Sequence, residues 1–177
     1  MGFNLIRRRF IAVVGVFIGV LLLGWWIIRP LWLTEVYGPE LAHAVQRYRE
    51  VLGTVEGWRD LAVIAQVATG DYLDYLAQVR CVDCASVQVA TKIGVQVLRV
   101  LEYSATTSTA ITRIEWGWHK VDPDTGAVLG ACHAQAFTDL YVLTWSDGTW
   151  KVSGGEEIDA NRVDDSPDLL ADYCSSN

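Results

Sequence analysis

Phe10 to Ile28, FIAVVGVFIGVLLLGWWII, is a run of 19 residues without a charge or a strongly polar side chain. A helix rises about 1.5 Å per residue and a bilayer's hydrocarbon core is about 30 Å thick, so this run just spans it. Arg7, Arg8 and Arg9 precede it, and an excess of basic residues marks the cytoplasmic end of a span. The chain therefore divides into a cytoplasmic head (1–9), a transmembrane helix (10–28) and an extracytoplasmic remainder. Trp25, Trp26 and Trp32, with Arg29 between them, form an aromatic belt at the outer interface. The rival is a cleaved signal peptide, whose apolar core is about 7–15 residues long and ends at a small-x-small site. Here the run is longer and closes on Trp-Trp-Ile-Ile-Arg-Pro. The localisation expected is a single-pass cell-membrane protein in contact with the lipid bilayer.

Gly15 and Gly19 form a GxxxG pair within the run. Small residues at that spacing let two helix backbones approach closely. The partner would be a second copy, giving a homodimer, or a helix of another membrane subunit. The plain alternative is that glycine is common in membrane helices.

Four of the 14 basic residues and none of the 21 acidic ones lie in the first 29 positions, so the remainder carries a net charge of -11. Such a surface repels phosphate backbones, which excludes nucleic acid as an expected partner and leaves basic protein surfaces. The apolar fraction of 51% suffices for a core.

Cys81, Cys84, Cys132 and Cys174 all lie beyond the span. An even count in an oxidising compartment suggests two disulfides, for which three pairings exist. Cys174 lies in an acidic C-terminal stretch, and pairing with Cys132 would pin that stretch, leaving Cys81 with Cys84. Other uses of the C-x-x-C spacing remain open. A c-type haem needs His after the second Cys, where Ala85 stands. A zinc site would have to recruit Cys132, His133 and Cys174 without familiar ligand spacing, and a redox pair should open a helix. No cofactor or metal is expected.

After a connector at 29–38, Pro39-Glu40 reads as a helix start, followed by Leu41, Val45, Tyr48 and Leu52 at helical spacing and ended by Gly53. A second helix is expected over about 57–68 and a third over 71–79, capped by Asp71. The period then changes to two. Strands are expected over 87–97, with a bulge or change of strand near 98–101, and over 108–121, 128–145 and 149–153. Asp122-Pro123-Asp124-Thr125-Gly126 and Ser146-Asp147-Gly148 are turns. Helices followed by long antiparallel strands indicate α+β. Residues 154–177 read as an acidic tail tethered through Cys174.

The stretch from Leu61 through Ala68-Thr69-Gly70-Asp71-Tyr72-Leu73, the paired strands, and Trp145-Ser146-Asp147-Gly148-Thr149-Trp150-Lys151-Val152 together resemble the nuclear transport factor 2-like (cystatin-like cone) superfamily. The likeness covers about 39–153 and is nearest to membrane-anchored extracytoplasmic members and IMS-type domains. It implies three helices packed on a curved antiparallel sheet with a concave pocket. The superfamily holds dehydratases and isomerases as well as inert scaffolds such as the periplasmic bridging subunit of type IV secretion, so fold alone does not choose.

Catalysis in such a cone needs an acid, base or nucleophile facing the pocket. Glu115 and His119 share a strand face, His133 and Asp139 another, and His43 lies on the first helix, without a tight motif linking them. Asp122 and Asp124 resemble the start of a calcium loop, but Gly126 comes early and no distal Glu follows. Trp116, Trp118 and Trp150 are core residues if buried and partner anchors if exposed. The function expected is that of a non-enzymatic accessory or scaffold subunit of a membrane complex. The alternatives are a small-ligand or lipid-binding pocket, and thiol redox work at Cys81 and Cys84.

Overall fold

The computed structural model describes residues 3–79, 84–158 and 162–175, with the backbone alone for 3–17, Leu23 and Ile27. Its longest element is α1, Phe3–Leu52, a single helix of 50 residues. The expected connector at 29–38 is therefore not a separate element, since the helix continues through Pro30 and Pro39. A proline inside a helix costs about 3 kcal/mol, and packing along this stretch offsets it. Leu33 is buried, Tyr37 stacks on Tyr103 with ring centroids 3.6 Å apart, and Thr34 Oγ1 donates to the Pro30 carbonyl at 2.7 Å. The described part of α1 holds a stretch long and apolar enough to cross a membrane, of which 6% is buried.

The second expected helix is broken in two. Thr54 Oγ1 accepts from Gly57 N at 3.0 Å and caps α2, Val55–Arg59. Asp60 ends that helix and caps the next, α3 (Leu61–Ile64), by accepting from Ala62 N at 2.8 Å. A carboxylate that serves a cap holds its own backbone extended, so the axis turns there. The chain then crosses to the sheet, where Thr69 N donates to Val152 O and Val152 N to Val67 O, both at 2.9 Å. The third helix, α4, spans Gly70–Val79.

Four antiparallel strands follow in the order β1 (Val87–Tyr103), β2 (Thr107–Val121), β3 (His133–Ser146) and β4 (Thr149–Glu157). Register shifts at Ala90/Lys92, Val97/Arg99 and Val100/Glu102 place bulges in β1 where its alternation fails. The β3–β4 turn has φ of 54° at Asp147 and 75° at Gly148, the pair of positive values a two-residue hairpin turn requires. The third strand starts later than expected, because Asp122 Oδ1 accepts from Asp124 N and Thr125 N, both at 2.9 Å, and holds the loop in a turn of its own.

One face of the sheet packs on α1. Ala110, Ile114 and Trp116 from β2 and Tyr141 and Leu143 from β3 meet Leu41, Val45 and Tyr48 in one core. The opposite face receives the C-terminal segment, which is folded rather than a tail. Residues 154–157 complete β4, β5 (Val163–Asp164) pairs with β3, and α5 spans Pro167–Cys174. Ser166 caps α5 by accepting from Leu169 N, and the Cys132–Cys174 disulfide ties its end to the start of β3. Gly117 makes this packing close, since a Cβ there would lie 2.2 Å from the Tyr173 carbonyl. The fold is α+β, with an antiparallel sheet and one long apolar N-terminal helix.

Candidate functional site

The α1 stripe that faces the sheet carries a charge beside it. Arg49 follows Tyr48, and its guanidinium lies 5.1 Å from the Phe137 ring centroid and 5.7 Å from that of Tyr141. On β3 the inward positions 137, 139, 141 and 143 read Phe, Asp, Tyr, Leu, and all four residues are buried. Asp139 Oδ2 accepts from Arg49 Nη2 and from Tyr141 Oη at 2.8 Å. Arg49 Nε donates to the same phenol oxygen at 2.8 Å. Tyr48 and Tyr72 continue the cluster with hydroxyls 2.9 Å apart.

Burial pushes the Asp139 carboxyl above the usual carboxylate range, while Arg49 and the Tyr141 hydroxyl pull it back down. Burial alone would ease the proton from Arg49. The Tyr141 and Tyr48 phenols and Asp139 outweigh that effect and hold the guanidinium charged. Burial likewise drives both phenols well up, so each stays protonated as a donor.

Asp139 Oδ1 is buried and has no hydrogen-bond partner among the described residues. A carboxylate oxygen kept from water without a donor carries a desolvation cost of about 1–3 kcal/mol, so it is a place for a donor to bind. It borders a cleft of about 280 Å³ whose wall includes Tyr72, Phe137, Glu157 and Arg162. Arg162 reaches into that wall from the segment before β5, bonding Gln135 Oε1 and Asp164 at 3.1 Å. The cluster supplies an acceptor beside a fixed cation. The unpartnered Asp139 Oδ1 can accept from an N–H or O–H group.

Of the residues singled out in the sequence, Asp139 lies in this cluster and the others fall elsewhere. His133 and Asp139 share a face of β3 but have separate partners. His133 Nδ1 lies 2.9 Å from Asp165 Oδ2, and its ring stacks on Trp118 at 4.7 Å. Glu115 meets Arg113 at 2.8 Å and accepts from Tyr173 Oη at 3.0 Å. The Arg113 hydrogen bond holds Glu115 below its usual range, and burial with the bond to Glu115 pushes Tyr173 up to about 12. His119 Nδ1 is buried without a partner among the described residues. Asp124 pairs with Arg59 of α2 at 2.7 Å, so it ties the 122–126 turn to that helix, while Asp122 shapes the turn itself. His43 lines a second cleft, about 410 Å³, with Glu40, Arg47, Trp145 and Trp150.

Trp116 and Trp150 are buried, and Trp145 is the exposed tryptophan of the sheet. Trp150 Nε1 donates to Glu40 Oε1 at 3.0 Å, whereas the indole N–H groups of Trp116 and the half-buried Trp118 find no partner among the described residues. Cys132 and Cys174 are bonded to each other, with Cα atoms 5.8 Å apart, so their sulfurs are not thiolate ligands for zinc with His133. Cys84 is exposed and disulfide-bonded, and Cys81 lies outside the described residues. Among the described residues no group of three or more His, Cys, Asp or Glu could hold a metal ion. Among the described residues, nothing beyond its own turn of helix lies within 4 Å of a Cβ built on Gly19. The packing of Gly15 lies outside the described side chains.

The sequence reading missed the Arg49–Asp139–Tyr141 cluster. Its signal is there to read: a lone carboxylate at an inward position of an alternating strand needs a cation from the facing helix, and Arg49 is the arginine beside the apolar stripe.

The sequence matches no protein-family model and no curated protein. Among solved structures, the crystal structure of the intermembrane space region of chloroplast protein ARC6 is similar at a TM-score of 0.49 and 18% identity, covering 67% of this chain and 93% of that one.

Proposed function

We propose that this chain is a non-catalytic accessory or scaffold subunit of a membrane complex, anchored by α1 and presenting its α+β domain outside the cytoplasm. The observation that carries the reading is the continuity of α1. One helix of 50 residues, about 75 Å at its ordinary rise, runs from an apolar stretch left bare by the domain into the domain's own core. A domain joined this way is held at a set height and tilt above the bilayer, which suits a subunit that positions neighbours. The acidic outer surface suits basic protein faces, and the uncovered Gly19 face suits a second membrane helix. On the helix-facing side of the sheet Ile114, Tyr141 and Leu143 pack with Tyr48 of α1, all buried, which supports a rigid joint between anchor and domain. The resemblance to the nuclear transport factor 2-like superfamily is compatible with this role, since inert scaffolds are among its members.

Gentle detergent extraction followed by native electrophoresis and mass spectrometry tests the reading. Co-migration of the chain with a larger set of membrane proteins is expected. A lone monomer or dimer, together with unchanged assembly of its neighbours when the chain is deleted, would contradict it.

A second reading is a small-ligand site at the Arg49–Asp139 cleft, favoured by the unpartnered Asp139 Oδ1. Native mass spectrometry of the purified chain would then show a bound small molecule that Asp139→Asn releases.

A further inference from the structure

Just beyond the apolar run, α1 is fastened to β1. The Val100 N–H donates to Thr34 Oγ1 at 2.7 Å, and the Tyr37–Tyr103 stack closes the contact one turn further on. This fastening brings the end of β1 down beside residues 25–30 of the helix. A groove of about 200 Å³ results, lined by Trp25, Trp26, Arg29 and Pro30 from α1 and by Arg99 and Leu101 from β1. Both arginines are exposed. Neither makes an ion pair or side-chain hydrogen bond among the described residues, and the carboxylates nearest in sequence, Glu35 and Glu102, are not part of the lining.

Two unpaired guanidiniums in an acidic domain need a counter-charge, and their position says which. Arg29 directly follows the apolar run, at the depth where phospholipid phosphates lie. Tryptophans at that level mark the boundary between acyl chains and headgroups. Leu98, Leu101, Leu31 and Trp32 are exposed around the same end of the domain, so the surroundings are apolar and suit a lipid better than a free ion. Guanidinium forks match phosphate oxygens two at a time.

We propose that this groove binds the phosphate of an anionic phospholipid in the leaflet on the domain's side, with Arg29 and Arg99 clamping the phosphate and the two tryptophans lying along the acyl chains. The proposal rests on reading α1 as a membrane span. It adds a headgroup-selective contact in which a strand of the domain joins the anchor.

The full chain would be reconstituted in nanodiscs of phosphatidylcholine with a minor share of phosphatidylglycerol, then released for native mass spectrometry to count the lipids it retains. Enrichment of phosphatidylglycerol is expected in the native chain, falling about fivefold with each of Arg29→Gln and Arg99→Gln and unchanged with Lys120→Gln at the far end of β2. Arg99→Gln is decisive, because an arginine that merely flanks a span has no need of β1. Enrichment unchanged by Arg99→Gln would overturn the proposal. So would millimolar inorganic phosphate displacing the lipid, which would mark a free-anion site. Quenching of tryptophan fluorescence by brominated phosphatidylcholine reads the span separately. No quenching in any variant would end the membrane reading and this proposal with it, whereas quenching without a phosphatidylglycerol preference would end the groove alone.

Discussion

The two halves of α1 are one unbroken helix with two different surfaces. Between Ile18 and Trp32 the described large apolar side chains are exposed, Trp26 to 75% and Leu31 to 66%. From Leu41 to Leu52 they turn inward, and Leu41 and Val45 are 0% exposed. Apolar surface in water costs about 25 cal/mol per Å², so the outer half needs another apolar phase, and the inner half finds its own in the sheet. The inner half is also sided, with the exposed His43 and Glu50 away from the core, while the outer half is apolar all round, as a helix suited to lipid should be. Helical continuity therefore says nothing about environment; the distribution of charge around the helix does.

Altering the outer half should have the largest effect. Leu21→Lys with Leu22→Lys places two charges within the span, at about 2.5–3.5 kcal/mol each. The chain should leave the membrane fraction while the domain's thermal transition stays in place. Truncation on the inner half should do the reverse. Leu41→Ala should cost about 3 kcal/mol and lower the domain's Tm by roughly 10 °C, with membrane retention unchanged. A variant of either half that moved both readouts would break the comparison.

The charge that the inner half carries into the core gives a sharper test. Asp139→Ala leaves Arg49 buried without its partner and should cost about 3 kcal/mol. Replacing the set together, by Arg49→Met, Asp139→Leu and Tyr141→Phe, should cost less than Asp139→Ala alone, because no unpaired charge remains. Chemical denaturation of the domain measures both.

The smallest effects are those of pH, and their signs differ between the two faces of the sheet. Asp139, on the α1 face, has its folded pKa raised by burial. The cost of ionising it is therefore absent below the unfolded value and grows as pH rises through the raised one. Glu115, on the α5 face, has its folded pKa lowered by the Arg113 hydrogen bond. Its contribution is present above the unfolded value and is lost as pH falls through the lowered one. Glu115→Gln should flatten the acid limb of a stability–pH curve by less than about 1 kcal/mol, since the pair is partly exposed.

The strands are legible in the sequence because each sheet face writes its own alternation, and because the turns at 122–126 and 147–148 carry side chains that shape their own backbones. The helices are less so. Leu61, Ala62, Ala65 and Ala68 have the spacing of one helix, yet Asp60 spends its carboxylate on capping and breaks it. Pro39 reads as a first-turn residue, but the packing of Tyr37 on Tyr103 lets the helix run through it. The first outcome is a local contest between a cap and a helix, whereas the second depends on a partner from a distant part of the chain. The Arg49–Asp139 cluster joins positions 90 residues apart, and only the inward placing of Asp139 points to it beforehand. The C-terminal segment shows the same limit, since acidic composition suggests a tail while β5 and the Cys132–Cys174 bond fold it onto the sheet.

Alkaline carbonate extraction of membranes carrying the full chain, followed by protease added to sealed vesicles from the domain's side, tests the central claim most directly. The account predicts that the chain stays in the pellet and that protease removes the domain while sparing the span. Release of the intact chain into the supernatant, or a domain protected within the vesicle, would contradict it.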